Sequence, residues 1–171
     1  MKKLLSLFFI AIMVFSFSLT AGSVNLKLQS KLLLKIVSYD KNFSRFGDPI
    51  KIGVSSDEML AALKGLGLKI KGKSFAAEKM ASPDDIAKFK IVYIDENWKA
   101  NYGAVADKAK AAQALVFCND AGFVESGGGA VSFKLINNKP KIVVNLGNAK
   151  EQGTDFSSGF LKVTVIIGGM K

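Results

Sequence analysis

Apolar and polar positions along the chain alternate between a helical period and short apolar runs. In "NLKLQSKLLLKIVSYDKNF" the apolar positions Leu28, Leu32, Leu33, Ile36 and Val37 form a helical stripe, which predicts an opening helix. The run "PIKIGVSS" predicts a short strand. The segment "DEMLAALKGLG" then predicts a helix, because its first turn is acidic and a glycine follows its last apolar position.

The same alternation continues through the middle of the chain. "LKIKGKSFAAEKM" predicts one strand or a bent pair, "SPDDIAKF" predicts a short helix with proline in its first turn, and "KIVYID" predicts a buried strand. The alanine-rich "NWKANYGAVADKAKAAQ" predicts a helix, and "ALVFCND" predicts the next strand. Strands that alternate with helices predict an α/β fold: a single three-layer domain with a mainly parallel sheet and flanking helices.

The last part of the chain departs from this alternation. "GAVSFKLINNKPKIVVNLG" predicts two strands joined at residues 137–140, an antiparallel C-terminal strand pair added to the sheet. "FLKVTVII" is rich in β-branched residues, but its position favours a closing helix, and we predict a helix there. Residues 24–171 are expected to form one domain, because about 150 residues suffice for one core but not for two ordinary ones.

The first 23 residues have the pattern of a secretory signal peptide. Lys2 and Lys3 precede an apolar run from Leu4 to Leu19, and small residues follow it. We predict a cleaved signal peptide over residues 1–21, and cleavage after Ser23 fits equally well. An uncleaved N-terminal anchor is the alternative, but the run is shorter than the roughly 20 apolar residues that a membrane span needs. The chain is therefore expected to be exported.

The charge balance is strongly basic. The sequence has 24 Lys and Arg residues against 14 Asp and Glu, a formal net charge of +10. Such a surface suits nucleic acid, anionic lipid or an acidic protein face. The lysines are scattered along the chain, which favours ordinary solvated faces, and export makes nucleic acid the wrong partner.

The residue types exclude most catalytic chemistry. The sequence has no histidine, which excludes Ser-His-Asp and Cys-His nucleophile arrangements and nearly all zinc sites. Cys118 is the only cysteine, so no intramolecular disulfide can form, and its apolar run predicts a buried structural thiol. The adjacent acid pairs lie at predicted helix starts or strand ends, where acids complement the helix dipole. We therefore predict a protein that is not an enzyme, with no cofactor and no metal site.

The stretch "GLKIKGKS", residues 67–74, has the spacing of a P-loop. A P-loop follows a buried strand and opens a helix, so that backbone N–H groups point at the phosphates. Here a predicted helix comes before the stretch, and no long helical period follows it. The sequence instead predicts a helix end, a strand and a turn around Gly72.

A longer motif lies further along, in "ALVFCNDAGFVESGGGAVSFKLINNKPKIVVNLGNAKEQGTDFSSGFLK". It has a strand ending in Asp, a Gly-Phe-x-Glu turn, several glycines, a strand ending in Asn and a later pair of serines. This stretch resembles the YfiR-like (HmsC-like) family of small periplasmic proteins, as a divergent member. The matching positions are Asp120, Gly122, Phe123, Glu125, Gly127, Gly128, Phe133, Asn145, Ala149, Gly153, Ser157, Ser158 and Leu161.

The resemblance implies a non-enzymatic regulator in the periplasm. Members of this family bind the periplasmic domain of a membrane diguanylate cyclase and hold the cyclase inactive. By this resemblance the candidate partner-binding residues are Asp120, Phe123, Glu125, Gly127, Gly128 and Asn145. Better-known members have paired cysteines, so redox control through disulfides is not expected in a chain with Cys118 alone.

Two of these candidate residues allow more than one interpretation. Phe123 is either an exposed aromatic anchor for a partner or a ring packed into the end of the sheet. Asn145 either contacts a partner or satisfies backbone groups at a strand end, and we favour the structural role.

The alternative function is a small-ligand-binding component that serves a transporter or sensor. An α/β sheet offers a crevice at the carboxyl ends of its strands, here near Ser55, Ser56, Asp95, Asn119 and Asp120. The partner's identity and the oligomeric state stay open, and a homodimer is one of the states allowed.

Overall fold

The computed structural model describes residues 24–168. The predicted signal peptide over residues 1–21, and the alternative cleavage after Ser23, lie outside these described residues. Within residues 24–168, no helix combines the length and the apolar character that a membrane crossing requires.

The order of elements follows the predicted alternation. The α-helices are α1 (Leu26–Val37), α2 (Asp57–Lys64), α3 (Tyr102–Ala112), α4 (Ala121–Glu125), α5 (Leu146–Glu151) and α6 (Ser158–Leu161). The strands are β1 (Ile50–Val54), β2 (Phe75–Lys79), β3 (Ile91–Ile94), β4 (Leu115–Cys118), β5 (Val131–Ile136), β6 (Lys139–Asn145) and β7 (Val165–Ile167). Short 3-10 helices cover Phe43–Phe46, Pro83–Lys88 and Glu96–Asn101.

These strands form one sheet in the order β2-β1-β3-β4-β5-β6-β7. Neighbouring strands run parallel, except that β5 and β6 are antiparallel and pair over six positions from Val131↔Val144 to Ile136↔Lys139. The predicted α/β fold, with a mainly parallel sheet and an antiparallel C-terminal pair, is confirmed.

Helices cover both faces of the sheet, so alternate residues of the central strands enter two separate apolar layers. In β3, Ile91 and Tyr93 belong to the core under α1 and α2, whereas Val92 and Ile94 belong to the core under α3. All four side chains are fully buried. This continuous apolar run is typical of a parallel strand that is covered on both faces.

The prediction of a closing helix over "FLKVTVII" is wrong. Only its first residues lie in α6, which ends at Leu161, and Val165–Ile167 form β7 beside β6. β-Branched side chains are stiff at χ1 and fit a pleated strand better than a helix. The open edge of β6 supplies the backbone partners that allow this short segment to pair.

The buried face of α1 is rotated relative to the predicted apolar stripe. Leu33, Ile36 and Val37 are buried, but Leu28 is 37% exposed and Gln29 is only 3% exposed. Both ends of the Gln29 amide are hydrogen-bonded, because its Nε2 donates to the Val24 carbonyl at 2.6 Å and its Oε1 accepts from the Tyr93 hydroxyl at 2.8 Å. Burial raises the pKa of Tyr93, which keeps this hydroxyl a donor.

The P-loop-like stretch forms a tight turn that precedes a strand. The backbone groups of Ile70 and Lys73 exchange two hydrogen bonds of 2.9 and 3.0 Å, and Lys71 and Gly72 between them have φ values of 47° and 85°. Positive φ at both central positions is the geometry of a two-residue hairpin turn. Since α2 precedes the stretch and β2 follows it, the predicted helix end and turn are confirmed. The strand predicted before the turn is wrong, because Ile70 forms only an isolated bridge with Lys73.

Candidate functional site

The motif stretch forms a compact turn at the carboxyl end of β4; residues 120–129 are called the motif turn below. Asp120 caps the short helix α4, because its Oδ1 accepts from the Gly122 N–H at 2.8 Å. Gly127 then adopts a φ of 94°, which lets the chain reverse toward β5. Capping of α4 therefore explains Asp120 in the motif, and the reversal of the backbone explains Gly127.

Phe123 lies at the centre of the motif turn. Its side chain is only 4% exposed, and its ring stacks on Tyr102 with centroids 3.9 Å apart and planes inclined by 25°. A Cβ on Gly128 would overlap the Phe123 ring, and one on Gly129 would come within 2.9 Å of Val124 Cγ2. The exposed-anchor interpretation of Phe123 is wrong, because the glycines of the motif make room for the ring to pack inside.

Asn145 joins the motif turn to α5. Its Oδ1 accepts from the Asn148 N–H at 3.1 Å and so caps α5, while its Nδ2 donates to the Val124 carbonyl at 3.1 Å. Asn148 reinforces the link, because its Nδ2 donates to the Gly129 carbonyl at 2.8 Å. The favoured structural role of Asn145 therefore matches the hydrogen bonds it makes.

The outer rim of the motif turn is formed by exposed residues. Gly122, Glu125 and Ser126 are exposed, and the Glu125 carboxylate pairs with Lys134 Nζ at 3.1 Å while both side chains remain 46% exposed. Of the six predicted site residues, Glu125 alone presents a largely accessible charged group. The other five shape and hold the turn on which Glu125 stands.

The residues predicted for the carboxyl-edge crevice also come together. The Ser55 hydroxyl accepts from the Asp95 N–H at 2.7 Å, and Asp95 Oδ2 accepts from Asn119 Nδ2 at 3.1 Å. Asn119 Oδ1 is buried and has no hydrogen-bond partner among residues 24–168. Ser56 instead caps α2 through the Met59 N–H, so it takes part in the fold rather than in this cluster.

The buried Cys118 and the half-buried Tyr102 form a polar pair beneath the motif turn. The Tyr102 hydroxyl lies 3.6 Å from Cys118 Sγ and donates to Asp120 Oδ2 at 3.3 Å. Burial raises the pKa of the Cys118 thiol to about 11, and burial together with the neighbouring Cys118 raises the pKa of Tyr102. The thiol is fully buried, as the sequence predicted, and it is protonated at neutral pH.

In the part of the chain that the structure describes, no group of three or more Cys, Asp or Glu side chains is placed to hold a metal ion.

Three residues that shape this region were missed by the sequence reasoning. Tyr102 lies near the start of the predicted alanine-rich helix. The one available sign of its role was that it is an aromatic residue among small ones. Asn148 lies in the short helix α5 and Gln152 directly follows it, and no spacing marks either residue as a hydrogen-bond partner of the motif turn. Their hydrogen bonds to Gly129 and Gly128 depend on the tertiary fold alone.

These features define the class of protein: a small α/β domain, covered on both faces, with a preformed turn at the carboxyl edge of its sheet. The chain belongs to the YfiR/HmsC-like family, whose model matches residues 23–164. The resemblance identified in the sequence is thereby confirmed. Membership supports a regulatory role in the periplasm.

Solved structures share the fold at low sequence identity. The ABC domain from Streptococcus pneumonia in complex with L-Trp matches with a TM-score of 0.57 and 14% identity, covering 81% of this chain and 62% of that one. A conserved domain protein from Vibrio cholerae matches with a TM-score of 0.57 and 14% identity, covering 82% of this chain and 59% of that one. A ligand-free, open substrate binding protein with adhesive properties from Clostridium difficile matches with a TM-score of 0.56 and 14% identity, covering 84% of this chain and 60% of that one.

The chain thus spans about three fifths of the length of these solved chains. At this identity the likeness concerns the fold. A search of curated proteins returned no match.

Proposed function

We propose that this protein is a non-enzymatic periplasmic regulatory module that binds a membrane signalling protein and represses a diguanylate cyclase through its periplasmic domain. Family membership supports the regulatory role and action through a protein partner. The observation that carries the proposal is the motif turn, in which Phe123 is buried and Glu125, two residues further on, is exposed.

The construction of the motif turn suits a recognition surface. Side chains within α5 and at its two ends donate to backbone carbonyls of the turn, so the turn is already ordered before any partner arrives: Asn145, Asn148 and Gln152. A preordered surface loses less conformational freedom on binding, which leaves more of the contact energy as affinity. Gly122 on the exposed rim has no side chain, so a partner backbone can approach closely there.

The proposal is tested by capture of partners from detergent-solubilised envelope, with the purified protein as bait. Wild type is compared with Glu125→Lys, which reverses the exposed charge of the motif turn and leaves its buried residues intact. The matched control is Glu151→Lys, because Glu151 is also an exposed partner in an ion pair, with Lys110 at 2.8 Å. Circular dichroism establishes that all three proteins are folded.

We expect wild type and Glu151→Lys to capture a membrane protein with a cyclase domain, identified by mass spectrometry, and Glu125→Lys to lose it. Equal capture of the membrane protein by Glu125→Lys and Glu151→Lys would show that the motif turn is not part of the contact. Recovery of no membrane signalling protein by the folded wild type would overturn the proposed function.

A second candidate function is a small-ligand-binding component that serves a transporter or sensor. The observation that favours it is Asn119 Oδ1, a buried acceptor without a partner among the described residues, beside Asp95 at the carboxyl edge. One solved structure with this fold contains L-Trp, and another is a substrate binding protein. Ligands of such sheets bind at the carboxyl edge of the strands.

This second function is tested by thermal unfolding of the purified protein with L-Trp and other amino acids as probes. A ligand that binds only the folded state raises stability by about 2.7 kcal/mol at one hundred times its Kd. A rise in Tm that Asn119→Ala abolishes would support ligand binding at this edge. An unchanged Tm for wild type across the set would count against the amino-acid class.

A further inference from the structure

Five lysines line one groove between α1 and the loop that follows α2. Lys27, Lys31 and Lys35 of α1 form one rim, and Lys69 and Lys71 of the loop form the other. The five residues are exposed, and the groove is an open concavity of about 730 Å³. None of the residues that line it is acidic. These lysines are called the basic groove below.

The positive charges of the basic groove are not neutralised within the described chain. The ion pairs found among residues 24–168 use other cations: Lys41, Arg45, Lys79, Lys88, Lys108, Lys110 and Lys134. Lys71 Nζ lies 4.9 Å from the centre of the Phe43 ring, a contact that positions the ammonium group and leaves its charge in place. The groove therefore concentrates positive potential in a concave surface.

The shape of the basic groove fits an extended chain. Lys27 and Lys35 are eight residues apart on α1, which separates them by about 12 Å along the helix axis. An extended peptide covers that distance with about four residues. Leu34 and Leu66 lie between the two rims and give the groove an apolar floor. An occupant with alternating acidic and apolar side chains would match both the rims and the floor.

The basic groove and the motif turn lie at opposite edges of the sheet. The loop of residues 65–74 connects the end of α2 to the start of β2, and so lies at the amino ends of the parallel strands. The motif turn follows the carboxyl end of β4. Lys69 and Lys71 belong to the P-loop-like stretch, which thus contributes charge to the basic groove although its backbone forms a hairpin turn.

We propose that the basic groove binds an extended acidic segment of a partner protein. Carboxylates of the segment pair with lysines on both rims, and its apolar side chains pack on Leu34 and Leu66. A concave groove with charges on two facing rims suits a chain better than the flat surface of an anionic membrane. This inference is independent of the cyclase proposal, since it concerns a different edge of the domain.

The test uses a fluorescein-labelled peptide, Glu-Leu-Glu-Leu-Glu-Leu, and fluorescence anisotropy with the purified protein at 50 mM NaCl. The test variant is Lys31→Glu with Lys69→Glu, which changes one lysine on each rim. The control is Lys139→Glu with Lys141→Glu, which changes the net charge equally. Lys139 and Lys141 are exposed, and they lie on the same face of β6 as Val143, which packs in the core under α3. The control residues are therefore on the opposite face of the sheet from α1 and the basic groove.

We expect the peptide to bind wild type and to bind about tenfold more weakly at 500 mM NaCl, because salt screens exposed charges. The rim variant should bind about tenfold more weakly at 50 mM NaCl, and the control should stay within about twofold of wild type. A neutral variant, Lys31→Gln with Lys69→Gln, should fall between them. Glu125→Lys should bind like wild type, which separates this result from that of the proposed function.

Three results would overturn the inference. One is the lack of peptide binding to folded wild type at 50 mM NaCl. Another is equal weakening in the rim variant and the control, which would indicate net charge alone. The last is that wild type binds vesicles containing phosphatidylglycerol but not the peptide, and that the rim variant no longer binds the vesicles. The basic groove would then contact a membrane.

Discussion

The rings of Tyr102 and Phe123 stack across the carboxyl edge of the sheet, with centroids 3.9 Å apart. Tyr102 is the first residue of α3, and Phe123 is the middle residue of α4. The contact therefore ties the helix after β3 to the helix after β4. Because the Tyr102 hydroxyl also donates to Asp120, the ring and the hydroxyl both hold the motif turn against α3.

Substitution of Gly128 by alanine should destabilise the protein. The added methyl group would overlap the Phe123 ring, which is already held by Tyr102, so the cost of overpacking should be about 1–3 kcal/mol. Urea unfolding followed by circular dichroism measures this change. Gly103→Ala is the matched control, since its Cβ would meet open space in α3 and should stabilise the helix by about 0.5–1 kcal/mol. Equal stability of the two variants would contradict the packing role of Gly128.

Two substitutions of Asn145 should separate its two hydrogen bonds. Asn145→Ser keeps a hydroxyl oxygen that can cap α5 but loses the amide donor to the Val124 carbonyl, and should cost about 1–3 kcal/mol. Asn145→Ala loses the cap as well, and should cost about 1 kcal/mol more. Denaturant unfolding of both variants checks the order. If the serine variant were the less stable one, the capping role would be wrong.

Removal of the Asp40 carboxylate should disrupt the contact between the loop after α1 and the segment before α6. Asp40 is 1% exposed; its Oδ1 accepts from the N–H groups of Asn42 and Asp155, and its Oδ2 lies 3.5 Å from Arg45 Nε. Burial lowers the pKa of Arg45, and the neighbouring Asp40 opposes that shift. Asp40→Ala should therefore cost about 3 kcal/mol, because it leaves a largely buried cation without its anion.

The matched control for Asp40 is Asp155→Ala. Asp155 pairs with Lys41 at 3.0 Å, but both side chains are at least half exposed, so its loss should cost less than about 1 kcal/mol. Thermal unfolding of both variants gives the comparison. A similar loss in the two proteins would show that burial of the Asp40–Arg45 pair has no energetic consequence.

Cys118 should react slowly with thiol reagents. A pKa of about 11, against an ordinary value of 9.0, leaves about one hundredth of the usual thiolate at pH 8, and the side chain is also buried. Modification by a disulfide reagent should thus be at least about one hundred times slower in the folded protein than in urea. Rapid modification of the folded protein would contradict the burial of this thiol.

The same shift predicts a loss of stability in alkali. The folded state holds the thiol proton more tightly than the unfolded state, so stability is unaffected by this group below pH 9 and falls as the pH rises from 9 to 11. Cys118→Ala should lose less free energy of unfolding between pH 8.5 and pH 10.5 than wild type. Equal losses in the two proteins would assign the alkaline effect to other groups.

The pattern of the sequence predicts those parts of the fold that depend on local periodicity. The apolar runs that become β3 and β4 are long enough to indicate buried strands, and the Asn137-Asn138 turn indicates the antiparallel pair. Asn137 and Asn138 both adopt positive φ, as this kind of turn requires. These features are determined within a few neighbouring residues, which is why the sequence alone reveals them.

The parts that were not predicted depend on contacts between distant residues. β7 forms because β6 offers an open edge, and the segment's own preference could not reveal that edge. Gln29 is buried because Tyr93, 64 positions away, supplies its partner. The inward position of Phe123 was left open for the same reason, since the space made by Gly128 and Gly129 exists only once the turn is folded.

Gln152 occupies the place where the two parts of the sheet meet. Val116 lies in the central strand β4, but its N–H donates to Gln152 Oε1 at 2.9 Å and not to a neighbouring strand. In addition, β4 pairs with β5 over only two positions. Between the four strands β2-β1-β3-β4 and the three strands β5-β6-β7, the backbone ladder is thus the shortest in the sheet, and the Gln152 amide supplements it; this junction is called the seam below. We expect this seam to open at a lower free energy than either part unfolds, so hydrogen exchange at Val116 would report on the docking of α5.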